Sequence, residues 1–244
     1  MNNYKLTIQY DGTDFAGWQM QKNANTIQKS IADAVQILLK EEINLIGSGR
    51  TDAGVHAWGQ VANFKNEQNI ELSKFRYSLN SILSKSINIK KIESVNESFH
   101  ARFDAKKRSY IYLIAKEQSP FYFKYSYLHS NITKYDINEL NKLSSILLGE
   151  HDFTSFARKN TETKNKICNI YNIQWRETKD FVFFFVEANR FLHGMVKTLV
   201  GTILQTGLKN YDKQTLQNIL KAKEREAAGK AFPSKGLFLF KVRY

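Results

Sequence analysis

Between Gly49 and Trp58 the chain reads Gly49-Arg50-Thr51-Asp52-Ala53-Gly54-Val55-His56-Ala57-Trp58, setting an arginine, a carboxylate and a histidine around two glycines. A carboxylate on a turn is equipped to act as a nucleophile or as a base. Glycines beside it permit dihedrals closed to other residues and close approach of a ligand to the backbone. A blander reading competes: Asp52 caps nearby amides and Arg50 is a solvated partner. For an isolated Arg-Thr-Asp-Ala-Gly string that reading is the better one. Other chemistries lack their signatures. Five histidines form no His-x-x-x-His pair, one cysteine makes no Cys-x-x-Cys, and Gly47-Ser48-Gly49 has no Gly-Lys-Ser/Thr after it. No metal site, phosphate cradle or cofactor is therefore expected.

The elements around this run determine how it is displayed. Ile43-Asn44-Leu45-Ile46 before it reads as a short strand, and Gln60-Val61-Ala62-Asn63-Phe64 after it alternates as another. The acid thus stands between two strands, where loops carry chemistry on a rigid frame. A strand over 4–10 precedes a helix over 26–40, with Ile27, Ile31, Val35, Leu38 and Leu39 on one face and Asn25 or Thr26 as its cap. Leu72, Phe75, Leu79, Ile82 and Leu83 mark a second helix, and a strand over 86–95 follows. The second half starts again with a strand over 108–115 and a helix over 136–148. Strands at 167–176 and 181–188, helices at 191–206 and 212–223, and a strand at 237–243 complete it. Residues 149–166 read as a long polar loop, which is uncommon unless functional.

Both halves thus share the order strand, helix, strand, strand, helix, strand, apart from one added helix. The expected fold is α+β: two ferredoxin-like halves, 1–104 and 105–244, with a mainly antiparallel sheet. The 104/105 boundary carries no Pro- or Gly-rich linker, so the halves are expected to be fused around a cleft. At 244 residues the chain is long enough for a substantial core.

Lys and Arg outnumber Asp and Glu by 36 to 23, a formal charge of +13. So large a surplus points to a polyanion as partner, through release of condensed counterions. Basic residues gather at Lys106-Lys107-Arg108, Arg158-Lys159, Lys164 with Lys166, and Lys221 to Arg225, and an RNA surface is expected there. The single cysteine, Cys168, excludes a disulfide framework and reads as a buried thiol in a reducing compartment. No run approaches the roughly 20 apolar residues of a membrane span. The N-terminus enters a strand pattern directly, so a cytoplasmic protein without signal peptide or membrane contact is expected.

The run from Gly49 to Trp58 closely resembles the catalytic motif of the tRNA pseudouridine synthase A family. The resemblance extends along the chain. Tyr10-Asp11-Gly12-Thr13-Asp14-Phe15-Ala16-Gly17-Trp18-Gln19 is similar to the family's opening block. Phe99-His100-Ala101-Arg102-Phe103 with Arg108-Ser109-Tyr110-Ile111-Tyr112, Gly149 to Phe156, Phe191 to Gly201, and Gly236 to Leu239 resemble later blocks, in order and spacing. The resemblance implies that Asp52 is the catalytic carboxylate and that Arg50 handles the RNA, filling the place of the extruded base or holding phosphate. Tyr110, rather than Tyr112, would stack on the uracil and lend its hydroxyl to proton handling. Lys197 would be the cation beside Asp52. Burial under RNA favours a neutral carboxylate, and a nearby cation opposes that. Two positions depart from the pattern: Lys197 where members carry Arg, losing the bidentate fork, and Met20 where a basic residue usually stands. His56 is expected to order the loop, and Trp18 and Trp58 to lie in the core or a cleft wall.

The implied activity is cofactor-free isomerisation of uridine to pseudouridine at tRNA positions 38–40, by a homodimer whose RNA site spans both subunits. Whether Asp52 attacks the sugar or takes its C2′ proton stays open. Two alternatives remain: a diverged paralogue acting on another RNA, and an idle RNA-binding scaffold.

Overall fold

A computed structural model describes residues 1–159 and 163–244. In chain order its elements are β1 (Asn2–Tyr10), α1 (Ile27–Leu39), β2 (Ile46–Gly47), β3 (His56–Asn66), α2 (Leu72–Ile82), β4 (Ile87–Val95), β5 (Lys107–Ala115), β6 (Tyr127–Leu128), α3 (Ile137–Ser144), β7 (Gly149–Asp152), β8 (Ile167–Glu177), β9 (Phe181–Ala188), α4 (Met195–Gly207), α5 (Lys213–Ala222) and β10 (Leu237–Arg243). The chain is mixed α+β, with mainly antiparallel strand pairing. It divides into two compact units, Met1–Lys106 with Phe238–Tyr244, and Lys107–Leu237. Among the described residues no helix is long and apolar enough to cross a membrane.

In the first unit the strands run β4-β1-β3-β10, with β2 on β3. Leaving β10 aside, this is the ferredoxin-like arrangement, in which two strand-helix-strand passes interleave. Tyr4, Leu6, Ile8 and Tyr10 of β1 are all buried, alternating with half-buried Lys5, Thr7 and Gln9. Their face meets the helices, as Phe64 of β3 and Phe75 of α2 show, with ring centroids 6.3 Å apart. Helix α1 begins where the Thr26 hydroxyl accepts the Lys29 amide, a cap whose loss typically costs about 1 kcal/mol. It ends at Lys40, in the left-handed region with φ 59°.

In this first unit three features differ from the sequence-based expectation. β2 has only two residues and begins at Ile46, so Ile43-Asn44-Leu45 is not strand. β3 starts at His56 and is buried on both faces, with only Trp58 and Lys65 exposed. Its polar residues are inside because they are satisfied there. Asn63 donates to Asn3 Oδ1 at 3.0 Å and accepts the Ala101 amide at 2.9 Å. Third, the last seven residues belong to the first unit and not to a 105–244 half. β10 pairs in parallel with β3, setting Phe238 opposite His56 and Leu239 opposite Ala57, and Tyr244 donates its hydroxyl to the Ala101 carbonyl at 2.8 Å.

The second unit orders its strands β5-β9-β8-β7, with β6 beside β5. Trp175 of β8 is fully buried, packs on Phe184 at 4.8 Å and donates to Ser144 Oγ at 2.8 Å. Asn141 of α3 closes the backbone of the same tryptophan in both directions. α3 ends at Ser144 and passes into a 3-10 turn over Ser145–Leu147, short of the expected 148. The stretch read as a polar loop over 149–166 instead holds β7 and a 3-10 turn at Thr154–Phe156; residues 160–162 of it lie outside the described residues. Asp152 caps that turn. Burial pushes its carboxyl up, but the Thr154 hydroxyl and amide, and Lys223 at 3.2 Å, outweigh this and hold it below the usual range. Cys168 is buried, and desolvation pushes its thiol up to about 11, which suits a structural role.

Candidate active site

Asp52 sits in the turn between β2 and β3, half-buried. Its carbonyl accepts the Val55 amide at 3.1 Å, closing a turn whose third residue, Gly54, has φ 72°, where glycine is unstrained. Thr51, the residue before it, is fastened from two sides. Its hydroxyl lies 2.7 Å from the Tyr10 hydroxyl in a buried pair, and its carbonyl accepts the Trp18 amide at 3.0 Å. Phe15 contributes its carbonyl to the Gly54 amide. The segment from Tyr10 to Trp18 thus acts as a clamp on the acid loop. Gly17 makes the clamp possible: its φ is 100°, and a Cβ there would lie 2.6 Å from the Thr51 carbonyl oxygen.

Two buried polar side chains fix the ends of the loop. Gln60 accepts from Ser48 Oγ at 2.7 Å and donates to the Gly49 carbonyl at 3.0 Å, holding the chain just before Arg50. His56 Nδ1 lies 3.1 Å from both the Gly12 amide and Asp11 Oδ1. A neutral ring accepts the amide and a ring protonated at Nδ1 donates to the carboxylate; in either state His56 ties the opening turn to β3. These contacts of His56 thus hold the opening turn against the first residue of β3. Arg50, two residues before Asp52, is exposed. Trp18 is core, at 2% exposure, whereas Trp58 is exposed.

Tyr110 and Lys197 belong to the second unit. Tyr110, on β5, is largely buried and meets Phe191 edge to face at 5.1 Å, which joins its strand to the block that ends in Lys197. Tyr112, two residues on, is in a different position. It is fully buried, donates its hydroxyl to the Pro233 carbonyl at 2.7 Å, and burial, with a smaller push from Tyr127, raises its phenol far above the ordinary value. A phenol so committed is unsuited to trading protons. Lys197 is half-buried on α4, donates from Nζ to Ser234 Oγ at 3.1 Å, and its carbonyl accepts the Phe232 amide. α4 starts at Met195, four residues later than expected, because Gly194 before it has φ 75° and sits in a turn closed by the Met195 amide on the Leu192 carbonyl.

The basic clusters divide. Lys107 and Arg108 begin β5 instead of ending a loop, since Lys107 reaches Glu187 at 3.5 Å and the Tyr171 ring at 4.6 Å, and Arg108 donates to the Asn189 carbonyl at 3.0 Å. Lys159 pairs with Glu226 at 2.6 Å. Lys106 and Arg158 are exposed.

The tRNA pseudouridine synthase family model matches residues 6–104 and 144–244. The chain belongs to that family. Relatives named tRNA pseudouridine synthase A resemble this family member over their whole length. The protein of Thermoanaerobacter sp. (strain X514) is 38% identical over 244 residues, covering 100% of each chain. That of Caldicellulosiruptor saccharolyticus is 39% identical, again with 100% of each chain covered. That of Bacillus subtilis (strain 168) is 37% identical over 98% of each. Among members of the tRNA pseudouridine synthase family, then, this chain carries Asp52 on a turn that its own opening segment clamps.

Proposed function

We propose that the protein isomerises uridine to pseudouridine at tRNA positions 38–40, with Asp52 as its catalytic carboxylate. The full-length membership of the family, with an acid on a clamped and accessible turn, carries this reading. The reaction breaks the N1–C1′ bond, turns the uracil and joins C5 to C1′. C5 gives up a proton and N1 gains one, so no redox partner or energy source is needed. The target base has to leave its stack to be reached. Arg50 fills the vacated place or holds the adjacent phosphate; a planar guanidinium suits both. Tyr110 stacks on the displaced uracil, and Lys197 supplies positive charge that keeps the carboxylate ionised. Lys106, Arg158 and Lys159 are the exposed cations assigned to the RNA backbone, while half-buried Lys107 and Arg108 serve chiefly within the fold. The enzyme is assigned to the cytoplasm, and by family it is a homodimer.

Chemical mapping of pseudouridine in total RNA from a deletion strain tests the reading. Loss confined to tRNA positions 38–40 is expected. Loss in ribosomal RNA with those sites intact would make the protein a paralogue for another RNA, and no loss anywhere would make it an idle scaffold. A second expectation concerns the departure at Lys197. Lys197→Ala is expected to lower turnover at least tenfold more than Lys197→Arg, because removing a charge near a carboxylate outweighs a change in its shape, and tenfold is only about 1.4 kcal/mol. Turnover measured on tRNA transcripts decides it; an alanine variant as active as wild type removes Lys197 from the site.

A further inference from the structure

On both sides of β1 the pairing register slips, and the two slips lead to one place. Against β3, Ile8 pairs with Gln60 but Tyr10 with Ala57, so Trp58 and Gly59 together face Gln9. Against β4, Thr7 pairs with Lys91 and Ile8 with Ile89, leaving Lys90 as the extra residue. A β-bulge re-aims the side chains it displaces. Here the displaced Trp58 and Lys90 join Thr7 and Gln9 on the face away from the helices. With Phe240 and Lys241 of β10 they line an open cavity of about 460 Å³, within the usual range for small-molecule sites.

A row of rings leads to this cavity, and its outer two members, Trp58 and Phe240, line it. His56 stacks on Phe238 at 4.7 Å, Phe238 on Trp58 at 4.5 Å, and Trp58 meets Phe240 edge-on at 6.1 Å. The row starts four residues from Asp52 and runs outward. Its inner members are buried, but Trp58 and Phe240 are 37% and 39% exposed. Aromatic rings open to solvent on a sheet, rimmed by cations, form a stacking platform for nucleobases with charge placed for phosphate. Lys90 and Lys241 set positive charge beside the rings, which favours an anionic ligand that also stacks.

We propose that this cavity is a second nucleotide subsite, where an unpaired base of the RNA substrate stacks on Trp58 and its phosphate meets Lys90 and Lys241. The inference rests on the reading of tRNA as substrate and adds a contact outside the reacting uridine. Intrinsic fluorescence offers a direct probe. Of the three tryptophans, Trp18 and Trp175 are 2% and 1% exposed, so Trp58 is the one placed to sense an added base. Titration with an unmodified tRNA anticodon stem-loop is expected to quench emission in the wild-type protein and not in Trp58→Phe. Trp58→Ala is expected to weaken RNA affinity about tenfold while turnover at saturating RNA holds. Lys90→Ala and Lys241→Ala are each expected to lower the slope of log affinity against log salt by about one. Emission that ignores RNA, or that shifts with protein concentration alone, overturns the subsite; the latter assigns the face to a second copy of the chain. Trp58→Ala with wild-type affinity and turnover also overturns it and leaves the activity standing, whereas a wild-type protein that forms no pseudouridine defeats the activity itself.

Discussion

Asp52→Asn is expected to abolish pseudouridine formation while tRNA affinity stays within about tenfold, a change of no more than 1.4 kcal/mol. The substitution keeps the shape of the side chain and removes only its charge and basicity. The turn is held by the backbone, through Val55 to the Asp52 carbonyl, and by the bonds to Thr51 on its other side. None of those bonds uses the carboxylate, so the loop geometry should survive. Asp52 is also only half-buried, so an amide there does not strand a polar group in the core. Binding and chemistry are therefore separable at this one position. Gel-shift affinity and single-turnover conversion, measured on the same tRNA transcript, are the two readouts. Wild-type turnover in the Asn variant would take Asp52 out of the catalytic role.

How far this arrangement could be read in the sequence varies from element to element. α1 was legible almost to the residue, because an apolar face at helical spacing follows a threonine cap. α4 was not, since Phe191-Leu192-His193 continues the apolar pattern of the helix and only the left-handed backbone of Gly194 interrupts it. β3 was recognised as a strand, but its alternation misled. Asn63 and Gln60 look like solvent-facing positions and are buried, each with its amide bonded at both ends. Sequence periodicity assumes an unbroken register, and the bulges beside β1 break it, which is why the outward display of Trp58 was invisible. The return of β10 to the first unit is a long-range pairing that no local signal encodes. For the site, Asp52 and Arg50 stood out through their spacing. The residues that hold them did not: Tyr10, Trp18 and Gln60 act through hydrogen bonds spanning 11 to 41 positions. The clue was present in the opening block, whose Gly17 is paired with no apolar pattern and has no reason to be glycine until the loop it touches is known.

That glycine yields the second large expected effect. Gly17→Ala is expected to lower single-turnover conversion about 100-fold and to destabilise the fold by only about 1–3 kcal/mol. Two terms act. The φ of 100° is a region L-residues avoid, and the new Cβ would lie 2.6 Å from the Thr51 carbonyl oxygen and 3.1 Å from the Asp52 carbonyl carbon. Those neighbours are backbone, so relief requires the loop itself to move. The buried residues of β1 and α1 are not in this contact, and most of the core is untouched. A displacement near 1 Å at a reacting group is enough for a loss of order 100-fold. Gly149→Ala separates the terms. Gly149 has a comparable φ of 89°, but nothing lies within 4 Å of its added Cβ. It is expected to show the backbone penalty, about 1–2 kcal/mol in thermal unfolding, with conversion unchanged. If Gly17→Ala and Gly149→Ala convert uridine at the same rate, the clamp of the opening segment on the acid loop does not position Asp52, and the loss seen in either reflects backbone strain alone.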